Sequence, residues 1–171
     1  QTIAIAQHAP SSRFAMVTVD GEDDATGRVQ VMIQHQELAR ELPKAPVVLE
    51  AAGARLNVPP VIAATTEGFM VAYAAAGDGV VVTYIDLDGV VQRRFPLGVG
   101  ATTDLGFGRE GRAGVLVARL GATTRVQFGP LDGVPEVLGA LSDNGGLNAR
   151  DVDVVSTLNG FMITFLNPVG A

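Results

Sequence analysis

The feature that most constrains this chain is an internal repeat. Gly68-Phe69-Met70-Val71-Ala72-Tyr73 is echoed by Gly160-Phe161-Met162-Ile163-Thr164-Phe165, 92 residues later. Gly114-Val115-Leu116-Val117-Ala118 stands midway, so the three glycines are spaced by 46 residues and again by 46. A further copy, Phe14-Ala15-Met16-Val17-Thr18-Val19, precedes Phe69 by 55 residues, the surplus matching an acidic insertion at 21–27 and a long stretch at 44–57. Leu87-Asp88-Gly89 and Leu131-Asp132-Gly133, 44 residues apart, keep the same register, each following a strand-like run. A chain that repeats at such a period stacks like units, each of which buries its apolar surface on its neighbour.

Each unit reads as four short strands. In the second copy these are Val61 to Thr66, Phe69 to Ala74, Val80 to Ile85 and Val90 to Pro96. Glu67-Gly68, Gly77-Asp78-Gly79 and Asp88-Gly89 punctuate them as turns, because tight hairpin turns need positive φ. A helical reading fails on the β-branched clusters and on the glycines that interrupt every long window. The one helix-friendly stretch, Gln36 to Leu42, falls in repeat register on a turn and the start of a fourth strand, and is discounted. The first strand of each unit, as in Val61-Ile62-Ala63-Ala64 and Val154-Val155-Ser156, carries small residues and is expected to be buried on both sides.

A four-stranded antiparallel meander recurring every 44 to 47 residues has the period of a β-propeller blade. The expected fold class is therefore all-β, a propeller-like array of three whole blades and a half blade, with a β-sandwich or barrel as the alternative. Approximate blades span 2–55, 56–102 and 103–149, and the half blade 150–171. The second-strand Gly-Phe-Met-Val-Ala-Tyr motif and the Leu-Asp-Gly hairpin resemble blades of bacterial secreted propeller-repeat proteins. The resemblance covers nearly the whole chain and implies architecture and an extracytoplasmic setting. The Gly-His and Trp-Asp pair of the WD40 class and the Asp-box signature do not occur, so the resemblance implies no activity.

Composition narrows the function classes. With 171 residues, 47% of them hydrophobic, the chain is long and apolar enough for one packed domain. A formal charge of −6 argues against nucleic-acid or anionic-membrane partners, which need dense basic patches. No apolar run approaches the roughly 20 residues of a spanning helix. Cysteine is absent, so neither disulfides nor thiolate metal sites arise. Gln1 in place of Met points to processing or trimming, of which signal-peptide removal is the ordinary cause.

Three and a half blades do not close a ring, since propellers usually have about four to eight blades. The expected partner is a further propeller segment or a protein that completes the ring. Strand counting makes a second copy an awkward donor of the missing strands, because both half blades would lack the same ones.

The candidate chemistry is sparse. Asp20, Glu22, Asp23 and Asp24 put four carboxylates within five residues, a weak calcium candidate without EF-hand spacing. Solvated hairpin acids explain them equally well. In Asp86-Leu87-Asp88-Gly89 the turn itself demands the Asp-Gly pair. Asn144-Gly145-Gly146 reads as a connection between blades. Glu67, Asp104 and Asp151 lie at strand ends that in a propeller face the channel mouth, where paired carboxylates serve acid–base work. His8 and His35 fall in a connecting loop and near a hairpin turn, with no third ligand at metal spacing. No serine sits in a Gly-x-Ser-x-Gly context. Phe14, Phe69, Tyr73, Phe161 and Phe165 recur on second strands, which marks them as packing between units.

These readings point to a non-enzymatic binding or scaffold segment of an extracytoplasmic propeller, with no cofactor expected. The alternatives are a propeller hydrolase or lyase with a channel-mouth site, and a carbohydrate-binding module. Fold alone does not separate the three.

Overall fold

The computed structural model of the chain describes residues 1–37, 45–76, 79–97, 102–110, 113–120, 123–130, 136–140, 150–158 and 160–166. Strands β1 (Thr2–His8), β2 (Arg13–Asp20), β3 (Arg28–His35) and β4 (Val47–Glu50) form a first sheet. A second holds β5 (Val61–Ala64), β6 (Gly68–Ala75), β7 (Gly79–Asp86) and β8 (Val91–Leu97). The third holds β9 (Thr102–Glu110), β10 (Ala113–Leu120), β11 (Thr123–Pro130) and β12 (Glu136–Ala140), and a two-stranded sheet follows with β13 (Arg150–Thr157) and β14 (Gly160–Leu166). Within every sheet the strands pair antiparallel, each with its neighbour in sequence.

The expected all-β class of antiparallel four-stranded sheets is what the chain forms. A single 3₁₀ turn at Ala9–Ser11 is its one helical element among the described residues. No helix there is long and apolar enough to cross a membrane. Of the discounted helix-friendly stretch, Gln36 and Glu37 form bends, and 38–42 lies outside the described residues.

Side-chain alternation decides which faces are covered. In the first sheet Ala15, Val17 and Val19 of β2 and Val29, Val31 and Ile33 of β3 are buried, while the residues between them are not. Period-two burial of this kind marks a sheet with one covered face. The second sheet differs: β6 is buried at every position, and β7 at all but its last. Its Phe69, Val71, Tyr73, Val81 and Ile85 join the buried face of the first sheet in one cluster. Its Met70, Ala72, Ala74, Val80 and Val82 form another, with Leu105 and Phe107 of β9. The second sheet is thus a middle layer.

Expected burial of the first strands on both sides holds for β5, whose Ala64 joins the first cluster and Ala63 the second, but not for β1 or β13. β1 alternates between exposed and half-buried residues, and Val155 of β13 is exposed. β6 and β7 are enclosed on both faces along nearly their whole length, because the second sheet lies between the first and the third. First strands nonetheless stand near one another in sequence order, β1 by β5, β5 by β9 and β9 by β13.

Polar groups tie the first two sheets together. The Tyr73 hydroxyl lies 3.4 Å from both the Leu49 carbonyl and the Glu50 carboxylate. Glu50 also pairs with Arg94 of β8. Burial pushes the Tyr73 phenol above its ordinary range, so it remains a neutral hydrogen-bonding group at physiological pH. The linker into the second sheet is anchored at Ala54, whose N–H donates to the Gly27 carbonyl at 2.9 Å.

Candidate functional site

The acidic tip between β2 and β3 is held together by its own hydrogen bonds. Asp23 Oδ1 accepts from the Thr26 N–H at 2.8 Å and from the Thr26 hydroxyl at 2.9 Å. The Thr26 N–H, followed by its hydroxyl, holds the Asp23 carboxyl below its usual value. Asp24 Oδ1 accepts from the Leu56 N–H at 2.9 Å, and its other oxygen lies 3.3 Å from Arg55. Asp20 pairs with Arg28 at 3.5 Å. Glu22 is exposed, and its N–H donates to Thr26 Oγ1 at 3.1 Å. Three of the four carboxylates are therefore engaged in fixing the tip or the linker. Among the described residues no group of three or more His, Asp and Glu side chains is placed to hold a metal ion.

Glu67 stands at the tip of the β5–β6 turn. That turn closes through Thr65, whose N–H donates to the Gly68 carbonyl at 2.9 Å and whose hydroxyl accepts from the Gly68 N–H at 3.1 Å. Between it and the β7–β8 turn lies a cleft of about 390 Å³, lined by Glu67, Tyr84, Asp86, Gln92 and Arg93 among others. The Arg93 guanidinium sits 4.9 Å over the Tyr84 ring, and Tyr84 stacks on Phe95 at 6.1 Å. Tyr84 is buried beneath these neighbours, which removes it as a platform for a sugar. Asp104 and Asp151 lie on β9 and β13, but their side chains fall outside the described residues. Asn159, Leu131-Asp132-Gly133 and Asn144-Gly145-Gly146 fall outside them as well.

Asp86 belongs to the β7–β8 turn more than to the cleft. Its Oδ1 accepts the N–H of Val90 at 2.8 Å and of Asp88 at 2.9 Å, and its Oδ2 accepts the Gln92 amide at 2.8 Å. Gly89 takes φ +88°, the left-handed conformation for which the Asp-Gly pair was read. Burial works against the charged carboxyl, but the Val90 and Asp88 N–H groups and the Gln92 amide outweigh it and hold Asp86 below its usual value. A depressed carboxylate contributes stability that is complete above the unfolded value, about pH 4, and is lost as pH falls through the folded one. Asp86→Asn is therefore expected to lose less stability than the parent between pH 7 and pH 3 in urea unfolding. At pH 7 the cost should stay under about 1 kcal/mol, since the amide oxygen still accepts from the turn.

His8 lies at the end of β1 and is buried, not in a connecting loop. Its Nε2 is 3.1 Å from the Thr66 carbonyl, which only accepts, so Nε2 carries the proton. Nδ1 then accepts from the Ser11 hydroxyl at 2.7 Å and from the Ser11 N–H at 3.3 Å. Sequence reasoning missed this pair; its signal was the three-residue spacing of His8-Ala9-Pro10-Ser11. The imidazole has a carbonyl where a triad has a carboxylate, and it caps the 3₁₀ turn. It joins the first sheet to the second and acts structurally. His35, at the end of β3, accepts the Glu37 N–H on Nδ1 at 3.1 Å.

Among the described residues, two sheet faces carry exposed apolar side chains. On the first sheet the face turned from the second carries Ile3, Ile5 and Val48, all exposed, around half-buried Met16 and Met32. On the last sheet Val155 and Met162 are exposed as a cross-strand pair. Among the described residues β14 pairs with β13 alone. Apolar faces of this kind normally mark contact surfaces. The chain matches no family model and no curated protein.

Proposed function

We propose that the chain is a segment of an extracytoplasmic β-propeller with a non-enzymatic binding or scaffold role, its ring completed by further chain or by a partner subunit. One observation carries the reading. Successive sheets stack face on face while their first strands stand near one another in order, as blades do around an axis. Asp86, Asp24 and His8 are engaged in structure: Asp86 and Asp24 hold turn and linker, and His8 holds two sheets together. The extracytoplasmic setting rests on the likeness of the repeat to bacterial secreted propellers.

The test is the particle that the chain forms in its source. Native mass, sequenced chain ends and averaged electron-microscope images are expected to show a ring with a central channel, containing this chain and further β-sheet segments. A lone 17.7 kDa particle that unfolds cooperatively would overturn the reading.

A further inference from the structure

We draw no further inference here: the strongest candidate, the cleft of about 390 Å³ between the β5–β6 and β7–β8 turns, belongs to the candidate site already described, where Asp86 and Gln92 are bound into the β7–β8 turn and the oppositely charged Glu67 and Arg93 select no class of ligand.

Discussion

Phe69→Ala is expected to destabilise the fold by about 3–5 kcal/mol, lowering the thermal midpoint by on the order of 10 °C. Phe69 is fully buried in the cluster shared by the first two sheets, so truncation leaves a cavity that both sheets line. It also removes the edge-to-face contact with His8 at 6.2 Å, beside the hydrogen bond by which His8 reaches Thr66 across the sheets. Phe14→Ala is the matched control. Phe14 holds the same repeat position but is half-buried on the outer face of the first sheet, so its loss should cost about 1 kcal/mol. Urea unfolding of the two variants at low protein concentration reads the difference. Equal costs would mean that the second sheet is not enclosed in the way described.

Gly68→Ala is expected to cost about 3 kcal/mol or more, a large effect for one methyl group. A Cβ at Gly68 would run into the carbonyl oxygen of Ile85 and come within 2.7 Å of the Asp86 Cα on the neighbouring strand. Both are backbone atoms of β7, and neither can rotate away. Moving them would also displace Asp86 from the turn that it caps. Gly160 occupies the same repeat position and separates space from conformation. A Cβ there meets nothing within 4 Å, but the residue sits at φ +149°, where side chains are disfavoured. Gly160→Ala should therefore cost about 1–3 kcal/mol through strain alone. Far-UV circular dichroism and unfolding midpoints of the two variants would check the order, and a Gly160 variant worse than the Gly68 variant would contradict it.

These two glycines show what was legible in the sequence. The repeat made the column visible and placed it at a strand boundary, and the four-strand meander followed from the β-branched runs and Asp-Gly turns around it. The physical reason for Gly68 was not legible, because it lies in the backbone of a strand 17 residues away. The same holds for His8. Its type and spacing were in view, but its burial depends on Thr66, which the chain brings across from the second sheet. Expected enclosure of the first strands holds for β5 and not for β1 or β13, because burial follows from whether a sheet lies on both sides, which small residues alone do not reveal. At the acidic tip, composition suggested a cation. The actual partners of Asp24, Arg55 and the Leu56 N–H, are linker groups far along the chain.

The strict meander order has a consequence for how the chain acquires its shape. Every hydrogen-bonded strand pair in the described sheets joins consecutive strands, so no sheet waits for a remote segment to begin pairing. Loop closures stay short, which favours faster folding than a Greek-key protein of similar size would achieve. During synthesis the first sheet can form while the second is still in the ribosome, leaving one apolar face exposed until the next meander emerges to cover it.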